Sequence, residues 1–156
     1  LIFHAAWQHN ATMNCKQKKS GDKYVSFAPF LQAAGLRPTR QRLALAKWLF
    51  TGCPKHVTIA EARAATRKMH TDVSLATIYN MLNDFSRAGL LRPIAVGGEH
   101  LFFDTVTDNH QHLFDEERRC LTDVPAKSVR FAQTPKIPAG RRLTRIDIIL
   151  RVCADK

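Results

Sequence analysis

The chain has 156 residues, of which 45% are apolar, enough for one hydrophobic core or two small cores joined compactly. Its formal net charge is +11, and the excess is uneven: residues 1–95 hold 14 basic and 4 acidic residues, whereas residues 96–156 hold 10 and 9. This asymmetry is typical of a polyanion-binding module joined to a part with a separate partner, although a merely soluble basic protein can also carry it. No apolar run reaches the roughly 18 residues that a membrane helix needs, which argues against a membrane-spanning protein.

The cysteines are scattered and never form a C-x-x-C pair; they are Cys15, Cys53, Cys120 and Cys153. This spacing argues against a zinc site of four cysteines and gives no disulfide framework, so it predicts a reducing, cytoplasmic environment. Residues 1–25 show no sustained apolar period and no basic start of a signal peptide. They are predicted to be a disordered arm or a segment foreign to the natural chain.

Two helices are predicted after this arm. The first follows Ser26 and is stopped by Gly35, with apolar residues at helical spacing: Phe27, Phe30, Leu31 and Ala34. Thr39 is placed to cap the second helix, whose apolar positions are Leu43, Ala46, Leu49 and Phe50. The Gly-Cys-Pro stretch at residues 52–54 ends that helix, because proline blocks helix continuation.

Two more helices and a hairpin follow. Residues 58–61 (TIAE) have the T-x-x-E form of a capping box, which opens a third helix through about Met69. Asp72 or Ser74 can cap a fourth helix with an apolar face of Leu75, Ile78, Leu82 and Phe85. Residues 92–96 and 100–104 are predicted strands around Gly97 and Gly98, a strong hairpin signal. This order predicts a winged helix that places its fourth helix in the DNA major groove; a small helical domain with an incidental hairpin is the alternative.

The pattern changes after His112. Residues 113–114 and 120–124 are predicted strand pieces around a charged turn, and a short helix is expected near residues 126–133. Residues 145–152 alternate cleanly, with one face formed by Ile146, Ile148, Leu150 and Val152. A piece of this size is too small to be stable alone, so we expect its sheet to pair with a second copy in a homodimer.

The predicted fold class is therefore α+β. A winged-helix DNA-binding domain over residues 26–104 is followed by a hinge over residues 105–112. A small α/β dimerisation domain over residues 113–156 completes the chain.

Several ordered motifs resemble the ferric uptake regulator family. They are residues 36–42 (LRPTRQR), His56, residues 73–80 (VSLATIYN), 89–92 (GLLR), 102–105 (FFDT) and 109–112 (NHQH). The iron response regulator branch, known from alphaproteobacteria, is the most similar, because its members lack C-x-x-C pairs and end in a pattern like residues 135–140 (PKIPAG) and 145–147 (RID). The resemblance covers roughly residues 27–152 and implies a dimeric repressor or activator of iron, zinc, peroxide or haem genes.

The resemblance implies a DNA-binding set, namely Arg37, Arg40, Arg42, Ser74, Thr77, Tyr79 and Asn80. Tyr79 and Asn80 fall where family members contact bases, and their chemistry suits that role, because asparagine can read adenine and tyrosine can pack on a thymine methyl. Arg37 falls where the family places a basic residue in an A·T-rich minor groove. Arg40 and Arg42 are expected to bind phosphates, and the implied partner is palindromic double-stranded DNA.

A metal site is expected around the hinge. His110 and His112 are two residues apart, so on an extended strand both point the same way and can share one ion. The resemblance adds His56, Asp104 and Asp123. Neutral imidazoles with a carboxylate suit Zn²⁺, Fe²⁺ or Mn²⁺, and an ion held there would fix the hinge angle. A surface pair of histidines without a ligand is the alternative.

Haem is a second candidate cofactor. Cys53-Pro54 matches the Cys-Pro motif in which a thiolate binds ferric haem, and some similar proteins carry such a motif in the N-terminal arm. Here it lies in a loop, where it also suits a helix-ending turn. The candidate haem ligands are Cys53, His110 and His112.

Departures from the family pattern limit further sites. The usual cysteines of a structural zinc site are replaced by Asp115 and Arg118, and Asn109 and Gln111 are poor ligands for a second hinge site. No H-E-x-x-H, Walker or G-x-S-x-G pattern is present, so a metallohydrolase is disfavoured. The sequence predicts an iron- or haem-responsive regulator rather than an enzyme. A purely metal-responsive repressor and a haem or metal carrier are the alternatives.

Overall fold

The computed structural model describes residues 26–98, 100–133 and 135–154. The chain divides into two compact units, the first ending at Asp108 and the second beginning at Asn109. Each unit contains a sheet, and the helices precede the second unit, which confirms the α+β class. The predicted arm over residues 1–25 lies outside the described residues. Among the helices that the structure describes, none is long and apolar enough to cross a membrane.

The first unit contains helices α1 (Phe27–Ala33), α2 (Arg40–Phe50), α3 (Ile59–Lys68) and α4 (Leu75–Arg87). Their ends follow the predicted signals. Thr39 caps α2, and the capping box of Thr58 and Glu61 is formed at the start of α3. Ser74 rather than Asp72 caps α4, since its Oγ accepts the Thr77 backbone N–H at 3.1 Å.

The core of this unit forms where the helices meet. Fully buried residues from α1, α2 and α4 contribute to it, including Leu31, Leu45, Leu49, Ile78, Leu82 and Phe85. Phe85 of α4 stacks on Phe50 of α2, with ring centroids 6.4 Å apart. The predicted apolar face of α4 was wrong at one position. Leu75, at the first turn, is 48% exposed, and Met81 is buried with the face instead.

A three-stranded antiparallel sheet completes the first unit. Its strands are β1 (His56–Val57), β2 (Arg92–Gly97) and β3 (His100–Asp104), in the order β1-β3-β2. Strands β2 and β3 are the predicted hairpin, which confirms the wing. Strand β1 was not predicted, because two residues are too short to show an alternating pattern. It places His56 opposite Asp104.

The second unit is built on β4 (Gln111–Asp115), β5 (Cys120–Val124) and β6 (Ile149–Val152), in the order β5-β4-β6. Strands β4 and β5 are antiparallel, and β6 pairs with β4 in parallel. In the turn between β4 and β5, Asp115 Oδ1 accepts the backbone N–H groups of Glu117 and Arg118 at 3.0 and 2.8 Å. Asp115 thus supports a tight turn between the two strands.

Two predicted elements of this unit are shorter than expected. The helix expected near residues 126–133 is a single 3₁₀ turn, Ala126–Ser128. The strand expected over residues 145–152 is formed only at its end, in β6, where Leu150 and Val152 are each 38% exposed. The alternating sequence therefore does not bury its apolar row within a single chain.

Candidate metal centre and nucleic-acid interface

The first unit holds a histidine–aspartate pair, half-buried at His56 and buried at Asp104, which we call the β1/β3 donor pair. Pairing of β1 with β3 places His56 directly opposite Asp104. The Nε2 atom of His56 lies 3.8 Å from Oδ2 of Asp104, and the Asp104 side chain is almost completely buried. The other carboxylate oxygen, Oδ1, accepts the Val106 backbone N–H at 2.8 Å. This bond fixes the carboxylate plane and leaves Oδ2 facing the imidazole.

The second unit holds a set of three donors, His110, His112 and Asp123, which we call the β4/β5 donor set. His112 and Asp123 are partners in the antiparallel register, and His110 lies just before β4. Asp123 Oδ1 is 3.2 Å from His110 Nε2 and 3.9 Å from His112 Nε2. The two imidazole rings lie side by side, with centroids 4.5 Å apart, as expected from their spacing.

The donor chemistry of both groups fits a transition-metal ion. Protein ligands bind Zn²⁺ at about 2.0–2.2 Å, so two nitrogen or oxygen ligands of one ion lie about 3–4 Å apart. The separations of 3.2, 3.8 and 3.9 Å found within the two groups fall in that range. In the β4/β5 donor set, all three ligand atoms lie within 4.8 Å of one another. His112 is only 1% exposed, which suits a small ion better than a large planar cofactor.

The loop that contains Cys53 and Pro54 ends α2. Gly52 has a φ of 83°, the left-handed conformation in which glycine commonly ends a helix. Cys53 is exposed. Haem ligation by Cys53 stays a prediction.

The proposed DNA contacts divide into exposed and engaged side chains. Arg37, Tyr79 and Asn80 are exposed, and Tyr79 has 46% of its surface accessible. The hydroxyls of Ser74 and Thr77 lie 2.9 Å apart at the start of α4, where the first turn carries no acidic residue. A helix N-terminus of this kind favours a phosphate, because its free N–H groups and its dipole attract negative charge.

Two arginines of α2 are tied to other parts of the first unit. Arg40 is exposed and donates to the His70 carbonyl at 3.3 Å. Arg42 donates to Asp84 of α4 at 2.6 Å, and Asp84 also accepts from Arg87 at 2.5 Å. Arg42 was predicted as a phosphate contact, yet its guanidinium links α2 to α4. This role of Asp84 could not be predicted from the sequence, because its partner Arg42 lies on a different helix.

This ion pair predicts a pH-dependent stability. Hydrogen bonds from Arg87 and then from Arg42 hold the pKa of Asp84 below its ordinary value of 3.8. A carboxyl with a lowered folded-state pKa contributes stability above its unfolded pKa and loses it as the pH falls through the folded value. We therefore expect Asp84→Asn to lower the free energy of unfolding at neutral pH by about 0.5–1 kcal/mol.

Urea titrations of Asp84→Asn and the parent at neutral and acidic pH test this expectation. The difference between the two should be constant well above pH 4 and should shrink as the pH falls below about 4. Asp72→Asn is the matched control, because Asp72 is 68% exposed and lies 3.7 Å from its partner Arg67. A difference that is the same at acidic and neutral pH would contradict the assignment to Asp84.

The fold of the first unit and the two groups of donors define a class, a winged-helix protein with a candidate metal centre. The model of the ferric uptake regulator family matches residues 33–148. The chain therefore belongs to the ferric uptake regulator family. Membership in a family of regulators agrees with the prediction that the chain is not an enzyme.

Individual relatives agree with this assignment. A peroxide-responsive repressor of Staphylococcus epidermidis is 34% identical over 87 residues, which span 56% of this chain and 57% of that relative. The chain thus covers little more than half the length of this curated relative. The ferric uptake regulator of Pseudomonas aeruginosa with manganese has 22% identity and a TM-score of 0.61, covering 84% of this chain and 99% of that one.

The ferric uptake regulator of Vibrio cholerae has 21% identity and a TM-score of 0.63, covering 81% of this chain and 98% of that one. At this level of identity, the similarity to both solved structures shows the fold alone. The comparisons confirm the predicted family, whereas the iron response regulator branch stays a prediction.

Proposed function

We propose that this chain is a cytoplasmic, homodimeric transcriptional repressor that binds palindromic A·T-rich DNA in response to a divalent metal ion. The observation that carries the proposal is the spacing of the donor atoms. In the first unit, His56 Nε2 lies 3.8 Å from Asp104 Oδ2. In the second unit, Asp123 Oδ1 lies 3.2 Å from His110 Nε2 and 3.9 Å from His112 Nε2. Exposed acidic groups are common on proteins without a metal, but Asp104 and His112 are buried.

A single ion shared by both groups of donors is the mechanism that we favour. The ligands would be His56, Asp104, His110, His112 and Asp123. Iron, manganese and zinc all accept imidazole with carboxylate, so the donor types alone do not select among them. When bound, such an ion supplies positive charge that binds the donors together. Because His56 and Asp104 belong to the DNA-binding domain, their ligation would change which orientations of that domain are populated.

The DNA-binding part of the proposal is supported by α4 and by charge. Tyr79 and Asn80 are exposed on α4, and the start of that helix presents Ser74 and Thr77. Residues 1–95 carry the excess of basic residues that an electrostatic approach to DNA requires. We assign residues 26–104 to DNA binding, 105–112 to the hinge and 113–156 to dimerisation.

Dimerisation is supported by apolar surface in the second unit. Its exposed large apolar side chains are Phe131, Ile137, Leu143, Leu150 and Val152. Exposed apolar side chains of this kind can be buried at an interface between chains. Burial of such side chains against a second copy would supply the apolar contacts that the small sheet lacks within one chain. The curated relative described above is also a repressor by name, and we extend that role to this chain.

Haem is the second candidate ligand. The Cys-Pro sequence and the adjacent imidazoles of His110 and His112 favour it, and the resemblance to the iron response regulator branch implies it. The burial of His112 favours the metal ion instead. A titration of the purified protein with Mn²⁺ and, separately, with haem, while operator binding is followed by fluorescence anisotropy, distinguishes the two.

Substitutions on the DNA face test the proposal directly. In the presence of Mn²⁺, Asn80→Ala should weaken binding to the operator by about 1–3 kcal/mol and leave binding to random DNA nearly unchanged, because a base contact is lost. Arg40→Ala should weaken binding to both DNAs alike and lower the slope of the salt dependence by about one.

Anisotropy titrations over a range of salt concentrations measure both effects. Gln32→Ala is a suitable control, because Gln32 is exposed on α1 and is not one of the predicted contacts. If Asn80→Ala and Arg40→Ala reduced affinity for operator and random DNA by the same factor, α4 would not be the recognition helix.

A further inference from the structure

We propose that Lys55 and Thr105 are positioning residues that couple the β1/β3 donor pair to helix α2 and, through it, to the recognition helix α4. The inference rests on the proposed function, since it concerns how the metal response reaches the DNA face. Neither residue is a candidate ligand. Each lies next to one, because Lys55 precedes His56 and Thr105 follows Asp104.

The side chain of Lys55 caps the C-terminal end of α2. Its Nζ donates to the carbonyl oxygens of Trp48, Thr51 and Leu49 at 2.5, 2.9 and 3.4 Å. The ammonium also lies 5.6 Å from the centroid of the Trp48 ring. The last carbonyls of a helix have no partner within the helix and carry its negative dipole end, so a cation there is favourable. A single side chain thus binds three carbonyl groups at this end of the helix.

The backbone of Lys55 is joined to Thr105 by three hydrogen bonds. The Lys55 N–H donates to Thr105 Oγ1 at 2.8 Å, and the Thr105 N–H donates to the Lys55 carbonyl at 3.1 Å. The Thr105 hydroxyl in turn donates to the same Lys55 carbonyl at 3.3 Å. Thr105 is fully buried, so water does not compete for these bonds. We call this arrangement the Lys55–Thr105 clasp.

The clasp restrains the backbone next to both donors of the first unit, His56 and Asp104. It extends the pairing of His56 with Asp104 by one residue, so the backbone leading to each ligand is held on both sides. Because the Lys55 side chain is anchored on α2, a shift of the donor pair must move the end of α2 or break the cap. Tight packing transmits such shifts instead of absorbing them.

The path continues from α2 to α4 through two side-chain contacts. Arg42, in the first turn of α2, donates to Asp84 of α4 at 2.6 Å. The Phe50 ring, at the last residue of α2, stacks on Phe85 of α4. Helix α2 is therefore connected to the metal donors at one end and to the recognition helix at both. Contiguous contacts between rigid elements are the physical route by which two sites influence each other.

The test compares DNA affinity with and without Mn²⁺ in matched variants. Lys55→Met keeps the apolar stem and removes the donor, whereas Lys55→Arg keeps a cation that can reach the carbonyls. Thr105→Val removes one buried hydroxyl. Thr66→Val is its control, because Thr66 is also fully buried and its hydroxyl donates only locally, to the Arg63 carbonyl at 2.9 Å.

The measured quantity is the ratio of operator affinity with Mn²⁺ to that without it, obtained by anisotropy. Coupling between two sites is typically about 5- to 150-fold. We expect this ratio to be several-fold lower in Lys55→Met and Thr105→Val than in the parent. In Lys55→Arg and Thr66→Val it should equal the ratio of the parent. A thermal unfolding curve for each variant, with and without Mn²⁺, shows that the protein is folded and reports metal binding independently of DNA.

The outcomes separate the two proposals. If the parent responds to Mn²⁺ and Lys55→Met and Thr105→Val keep its ratio while unfolding at lower temperature, the clasp is only structural and the inference is overturned. If Thr66→Val lowers the ratio as much as Thr105→Val, general destabilisation is the cause and the inference is again overturned. If Mn²⁺ changes neither the DNA affinity nor the thermal unfolding of the parent protein, the proposed metal response itself is wrong.

Discussion

Replacing His110 and His112 together with alanine should abolish the effect of Mn²⁺ on operator binding. Both imidazoles lie against one carboxylate oxygen of Asp123, at 3.2 and 3.9 Å, so the double variant leaves a single donor in the β4/β5 donor set. Mutation of residues that merely orient metal ligands typically costs 10–100-fold in affinity, so loss of two ligands should cost about 100-fold or more. Calorimetric titration with Mn²⁺ measures this loss, and anisotropy measures its effect on DNA binding.

His100→Ala is the matched control for this experiment. His100 also lies at the start of a strand, in β3, but it belongs to neither group of donors. Its replacement should leave Mn²⁺ affinity within about threefold of the parent, since no ligand is lost. Mn²⁺ affinity that survived in the double histidine variant would place the metal elsewhere and remove the basis of the proposed response.

The same variant separates metal from haem. If the histidines bind haem, the double variant should lose haem uptake while Cys53→Ala retains it. If Cys53 binds haem, Cys53→Ala should lose the thiolate-type spectrum, because axial-ligand identity sets the electronic properties of haem. A protein that binds Mn²⁺ but gives no haem spectrum under reducing or oxidising conditions is a metal regulator alone.

Phe85→Ala should lower the free energy of unfolding of the first unit by about 3–5 kcal/mol. Phe85 is fully buried in α4 and stacks on Phe50, so truncation leaves a cavity between the recognition helix and α2. Stabilities of single domains are about 5–15 kcal/mol, so this loss is a large fraction of the total. Specific DNA binding should weaken with it, since α4 would no longer be held against the core.

Urea unfolding followed by fluorescence and by helical circular dichroism measures the effect. Leu75→Ala is the control, because Leu75 lies on the same helix and is 48% exposed, so its truncation leaves no comparable cavity. A cost below about 1 kcal/mol for Phe85→Ala would mean that the core collapses around the missing ring, and the packing described for α4 would be wrong.

The helices of the first unit could be predicted because local chemistry decides where they begin and end. Thr39, Thr58 and Ser74 each cap a helix through bonds that span at most three residues. Strand β1 could not be predicted, because its two residues become a strand only by pairing with β3, which lies far along the chain. The predicted burial of Leu75 was wrong for a related reason. A wheel pattern places it at the edge of the apolar face, and tertiary packing decides which edge is covered.

Among the metal donors, too, contacts between near neighbours in the sequence could be predicted and contacts between distant strands could not. The spacing of His110 and His112 alone predicts that their rings lie side by side. The approach of Asp123 depends on the register of β4 with β5, and that of Asp104 to His56 on the register of β1 with β3. Both registers are set by pairing between distant strands. His56, Asp104 and Asp123 could therefore be predicted as ligands only from the family resemblance. The position of Lys55 in the sequence does indicate its role as a helix cap, because a basic side chain just after a helix C-terminus often binds the last carbonyls of the helix.

The parallel pairing of β6 with β4 has a consequence for the order of folding. Antiparallel β4 and β5 are joined by a short turn, whereas β6 reaches β4 only after residues 116–148 have been traversed. Contacts between distant segments form late, because the entropy of closing the intervening loop must be overcome first. The hairpin that carries His112 and Asp123 can therefore form before the final strand docks.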